Sequence, residues 1–169
     1  MEGPPDWEFR DRDIAILKEL AKEPQLSSRK LADRLEEHYD IDVSHVTVSE
    51  SVREMRADGV FRDAILVNEE YFHFVLFEFK FNPEHFAEHW REAMEYIRDD
   101  EHTLFYFLSQ GEYQWRSIML FTGREQQSRW VHEFYKAHGE VVLNVRNHTM
   151  NNILKFRTDP ELLDHLGGK

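Results

Sequence analysis

Cysteine is absent from the 169 residues, which excludes disulfides and every thiolate-based zinc or redox site. Glycine is scarce, at 7 residues, and none of it forms a Gly-rich phosphate loop. A Ser nucleophile elbow is missing too, so the common catalytic signatures are not met. No run of about 18 apolar residues occurs, so nothing is expected to span a membrane. The first residues, MEGPPDWEFRDRD, lack the basic and apolar regions of a signal peptide. A cytoplasmic location without a membrane partner is the resulting expectation. Basic residues are also in deficit, with 21 Lys and Arg against 33 Asp and Glu, for a net charge of -12.

The acidity is spread evenly. Residues 1–68 hold 10 basic and 16 acidic side chains, and residues 69–169 hold 11 and 17. This is an acidic skin and not an acidic tail. Charge of this size keeps a chain soluble at the cost of self-repulsion, a lever that halophiles use. At molar salt the Debye length falls to about 3 Å and the repulsion largely vanishes. The composition therefore points to a salt-adapted, halophilic-type protein. With 41% hydrophobic and 14% aromatic residues, the chain can still bury a core as one domain or two small ones.

The first half is helical in cadence. Ile14, Leu17, Leu20 and Ala21 fall on one helix face, with Asp11 or Asp13 as a cap and Pro24 as the stop. Ser27 or Ser28 can cap a second helix burying Leu31, Ala32 and Leu35. After the polar segment EEHYDIDV, Ser44 can cap a third helix with Val48, Val52 and Met55 inside and Gly59 at its end. The stretch VFRDAILVN then reads as short β structure, a wing. Residues 1–68 are thus expected to form a winged helix-turn-helix.

The second half changes character. YFHFVLFEFKF is apolar on both alternating faces, the pattern of a strand covered on both sides. Asn82 and Pro83 open a helix whose face is Phe86, Trp90, Ala93, Met94 and Ile97. HTLFYFLSQ and QWRSIMLFT form two strands around Gly111-Glu112-Tyr113. REQQSRWVHEFYKAH is a second helix closed by Gly139, and VVLNVRNHTMNNILKF is a final strand or pair of strands. The fold class is therefore α+β, with a ferredoxin-like β-α-β-β-α-β domain over residues 69–169. In that order both helices cover one sheet face. Here the other face also carries large apolar side chains, and a monomer does not leave such a patch open. Sheet-on-sheet homodimerisation is the expectation, and higher oligomers are compatible with it.

This succession resembles the leucine-responsive/asparagine-synthetase regulator (Lrp/AsnC) family of transcription regulators, from about Asp11 to Phe156. The resemblance is carried by Asp13, Ile14, Leu17 and Leu20, then by Ser28, Leu31 and Ala32. Thr47, Val48, Val52, Met55, Gly59, Val60 and Phe61 resemble the family's recognition helix and glycine turn, and Gly111-Glu112-Tyr113 resembles its hairpin. Order and spacing carry the likeness rather than any one motif. Three departures stand out. EEHYDIDV lengthens the turn between helices two and three, Ser51 replaces a common Arg, and Gln114 replaces a common Asp.

The resemblance implies a sequence-specific regulator bound to double-stranded DNA. Recognition helices read bases mainly through N-terminal residues, which points to Ser44, His45, Thr47, Ser49, Glu50 and Arg53. Hydroxyls, His and Arg can contact base edges or phosphates, and Glu can accept from a cytosine amino group. Ser27, Ser28, Arg29 and Lys30 at the start of helix two, with Arg56 and Arg62, are candidate phosphate contacts. Gly111, Glu112, Tyr113 and Gln114 are the inferred positions for a small-molecule effector. No cofactor is expected. His85 and His89, one helical turn apart, could start a zinc site but lack an evident third ligand. Two other readings remain. One is an interaction module that keeps a relic winged helix, favoured by Glu50, Glu54 and Asp58. The other is a relative of the tetrapyrrole-pathway decarboxylases, whose arginine cluster is missing where GVFRDAILV stands.

Overall fold

The computed structural model describes residues 7–168 apart from Leu66, Glu69 and Phe156. Two compact units emerge, residues 1–65 with 155–169, and residues 66–154.

The first unit contains α1 (Asp11–Lys22), α2 (Ser28–Tyr39) and α3 (His45–Ala57). Neither Asp11 nor Asp13 is the cap of α1. Arg10 holds that position, and the Asp13 carboxylate reaches back to accept from the Arg10 backbone N–H and guanidinium. Ser27 caps α2 and Ser44 caps α3, each accepting a backbone N–H from three residues on. The core joins Ile16, Leu17, Leu31, Leu35, Val48 and Met55.

Three expectations for this unit are corrected. First, α2 runs on through Glu36–Tyr39, and only Asp40–Val43 separates it from the Ser44 cap. Asp40 ends the helix in the left-handed region at φ 56°, a conformation that Asp tolerates better than most residues. The turn is therefore short. Second, the inward stripe of α3 is Val48, Ser51 and Met55, with Val52 only half-buried. The serine that departs from the common Arg is thus packed inside, where a small side chain fits. Third, no strand forms among the described residues of 61–68. Arg56 pairs with Asp63 at 2.8 Å and stacks over Phe61 at 5.3 Å, which draws this segment back to α3. Ile65 is left 92% exposed.

A buried ion network ties α1 to α2. Glu19 is fully buried and bonds Lys22 (2.7 Å), Tyr39 (2.9 Å), Arg34 (3.2 Å) and His38 (3.3 Å). Burial alone would raise its pKa, but the hydrogen bonds from Lys22, Tyr39, His38 and Arg34 outweigh that and hold it down to about 2, against an ordinary 4.5. A carboxylate depressed in the folded state stabilises fully above its unfolded pKa and loses that contribution as pH falls through the folded value. Glu19→Gln is therefore expected to cost about 2 kcal/mol at neutral pH. The gap to wild type should close as pH drops from 4.5 towards 2. Urea unfolding at stepped pH measures it, and a gap independent of pH would contradict the assignment.

The sequence-based division placed everything after residue 68 in one domain, but residues 155–169 belong to the first unit. A 3-10 helix, Pro160–Gly168, lies on α1. Its Leu163 and Leu166 join the first unit's core, and Asp164 pairs with Lys18 at 2.8 Å. The face of α1 is wider than α2 and α3 can cover, and this segment closes it.

The second unit comprises β1 (His73–Phe81), α4 (Pro83–Arg98), β2 (Thr103–Leu108), β3 (Trp115–Phe121), α5 (Arg124–His138) and β4 (Val142–Met150). The strand order is β2-β3-β1-β4 with antiparallel neighbours, the ferredoxin-like arrangement. Asn82 caps α4 and Pro83 occupies its first turn, where a missing N–H costs nothing. Gly139 follows α5 so closely that an added Cβ would lie 2.5 Å from the Tyr135 carbonyl oxygen. Both helices lie on the face bearing Val75, Phe77, Phe79, Phe81, Trp115 and Met119. There Phe77 meets Trp130 at 5.1 Å and Phe79 meets Phe134 at 5.3 Å.

The opposite sheet face has no helix on it. Register places Leu76, Ile118 and Phe107 there, with Glu78, Arg116 and His148. Phe107 is 42% exposed, and Leu76 and Ile118 are half-buried. Glu78 lies between Arg116 (3.0 Å) and His148 (3.3 Å). The face is thus apolar with one charged cluster.

Candidate nucleic-acid interface

The Val48–Ser51–Met55 stripe fixes how α3 is rolled. At about 100° per residue, the side chains pointing away from it are Val46, Ser49, Glu50 and Arg53, and all four are exposed. His45 and Glu54 flank this stripe and are also exposed. The first turn is firmly set. Ser44 Oγ accepts from Thr47 N at 3.1 Å, and the two hydroxyls are hydrogen-bonded at 3.0 Å. Ser44 and half-buried Thr47 therefore shape the helix start, while His45, Ser49, Glu50 and Arg53 present free side chains.

The start of α2 adds a second group. Ser27 caps the helix, Ser28 is half-buried, and Arg29 and Lys30 are exposed. A helix N-terminus with two exposed cations suits a phosphate. Of the two remaining candidates, Arg62 is exposed, whereas Arg56 is committed to Asp63. Glu50, Glu54 and Asp58 oppose these cations along α3.

The inferred effector hairpin is built differently from an open site. Gly111 adopts φ 107°, which favours glycine. Glu112 pairs with Lys80, and this hydrogen bond holds its carboxyl below the usual range. Tyr113 is buried, its hydroxyl accepts from Asn144 Nδ2 at 2.9 Å, and Arg146 lies 4.2 Å over its ring. Gly111 and the Gln114 side chain are exposed without such a tie among the described residues, while the Gln114 carbonyl accepts from Ser109 N at 2.7 Å.

Sequence reasoning missed the buried Glu19, which was masked as one more acidic residue among many. It also missed a chain of groups in the second unit. Asp100 accepts from Trp130 Nε1 at 2.9 Å and from His102 Nδ1 at 2.8 Å, beside a cleft of about 330 Å3 bordered by His102, Phe72 and Leu120. Partners so far apart in sequence give no local signal. Among the described residues no group of three or more His, Asp and Glu side chains could hold a metal, and His85 and His89 gain no third ligand.

Solved structures share this fold. Escherichia coli AsnC superposes with a TM-score of 0.71, at 14% identity, over 91% of this chain and 99% of its own. The chain has the fold of AsnC. A transcriptional regulator from Neisseria meningitidis, solved as an L-Met complex, gives a TM-score of 0.71 at 18% identity over 90% and 96% of the two chains. Bacillus subtilis LrpC gives 0.65 at 18% identity over 88% and 99%. No family model matches the sequence, and no curated protein matches it significantly. The likeness to AsnC is therefore one of fold, with little sequence identity behind it. No helix among the described residues is long and apolar enough to cross a membrane.

Proposed function

We propose that the protein is a sequence-specific, DNA-binding transcription regulator that acts as a homodimer. The observation that carries this reading is α3. It is capped at Ser44, rolled by its buried stripe, and turns His45, Ser49, Glu50 and Arg53 outward on a fold shared with AsnC. Base-edge contacts come from those outward side chains, and phosphate contacts from Arg29, Lys30 and Arg62. The open sheet face, with Leu76, Ile118 and Phe107, packs against its counterpart in a second copy. The two α3 helices then enter successive major grooves of a pseudo-palindrome.

Net charge is a weaker objection than it looks. Phosphate neutralisation supplies affinity mainly at low salt, because log K falls with log salt. At molar salt hydrogen bonds, shape and apolar contacts dominate, and an acidic skin matters little in either direction. A small-molecule effector belongs to this reading through the hairpin at Gly111–Gln114. The Neisseria regulator was solved with L-Met, while the ties on Glu112 and Tyr113 here leave Gly111 and Gln114 as the free part of that hairpin.

A second reading, an interaction module without DNA binding, is favoured by the exposed acidic side chains of Glu50 and Glu54 on α3 and of Asp58 at its C-terminal cap. Selection of duplexes from a random library, at both low and molar KCl, separates the two. Enrichment of a common motif supports the regulator, and no enrichment at either salt supports the module.

A further inference from the structure

Val46 occupies the second position of α3, about 170° around the helix from the middle of the Val48–Ser51–Met55 stripe. It is 53% exposed. The neighbouring hydroxyls of Ser44 and Thr47 are bound to each other and to the helix end. Val46 is therefore an outward, unengaged side chain of the first turn, and it offers only methyl groups. Its outward companions Ser49, Glu50 and Arg53 are polar and exposed.

In the major groove each base presents donors and acceptors, and thymine alone adds an apolar group, its C5-methyl. A branched aliphatic side chain can read that methyl and nothing else there. Valine is also held to nearly one χ1 rotamer in a helix, so its methyls are presented with little entropy left to lose.

We propose that Val46 is a specificity residue that packs against a thymine C5-methyl in each half-site. This rests on the DNA-reading assignment of α3. Neighbouring polar side chains then supply hydrogen bonds to flanking bases, and Val46 supplies the selection for thymine.

The test uses the full chain and a duplex enriched from a random library. Each thymine is replaced in turn by deoxyuridine, which removes the methyl alone, and affinity is read by fluorescence anisotropy. One symmetry-related pair of positions should weaken binding by about fourfold per methyl lost, the value of burying one such group. Val46→Ala should weaken binding to the thymine duplex by about fourfold per half-site, as much as losing both methyls, and abolish the difference between thymine and uracil. Ala is the better helix former, so this variant keeps its fold, and circular dichroism confirms it. Uniform indifference to deoxyuridine overturns the proposal. So does a methyl effect that persists undiminished in Val46→Ala, because another residue would then be reading it. Failure to enrich any duplex overturns the DNA-reading assignment itself, and this proposal with it.

Discussion

Arg53→Ala is expected to weaken specific DNA binding by roughly tenfold to a hundredfold, the worth of one good bidentate base contact. Arg53 is exposed at the middle of the outward stripe, with Val46, Ser49 and Glu50 towards the helix start. It has no acidic partner at salt-bridge distance among the described residues, unlike Arg56, which is held by Asp63. Its guanidinium is free to reach two acceptors on guanine, a bidentate contact that suits the arginine fork. Arg53→Lys keeps the charge but loses the fork, so it should recover little specificity. The salt dependence gives an independent check. A base contact leaves the slope of log K against log salt nearly unchanged, whereas a phosphate contact lowers it by about one. The oligomer should be unaffected, because Arg53 lies in the first unit and the sheet in the second. Unchanged affinity for an enriched duplex would remove α3 from the interface.

Ile118→Glu should turn the proposed dimer into a monomer, with a loss of at least roughly a hundredfold in association. Ile118 sits on β3 opposite Leu76 on β1 and beside Phe105 on β2, on the face that neither helix covers. Packed against a second sheet, a carboxylate there would lose its water in an apolar setting. Such a charge costs several kcal/mol. In the monomer the position is only half-buried, so the fold should survive, and a melting curve checks this. Sedimentation across a concentration series reads the effect. A dimer of unchanged affinity would move the interface to another surface.

Much of the architecture was legible because its signals are local. Asn82-Pro83, the Phe86–Ile97 face and the turn at Gly111 each carry their own chemistry, and the β-α-β-β-α-β order follows from them. The start of α3 was legible for the same reason, since Ser44 is a cap by its position. What escaped was set by distant packing. The expected wing is not seen among the described residues of 61–68, where Arg56 instead pairs with Asp63 and stacks over Phe61. The expected stripe of α3 holds at Val48 and Met55, and Val52 packs at the core's edge, but the small polar Ser51 is buried deeper than Val52. The return of Pro160–Gly168 to α1 depends on contacts between the two ends of the chain, and no periodicity announces it. Within the hairpin, the chemistry of Glu112 and Tyr113 was visible, but their ties to Lys80, Asn144 and Arg146 come from strands far off in sequence.

If paired α3 helices read a DNA operator, hydroxyl-radical and methylation-interference footprinting of an enriched duplex should show it. Two symmetry-related major-groove contacts are expected, separated by about 10 base pairs or a multiple of that turn, both lost in Arg53→Ala. Contacts confined to the phosphate backbone, with no major-groove positions and no effect of Arg53, would contradict that reading.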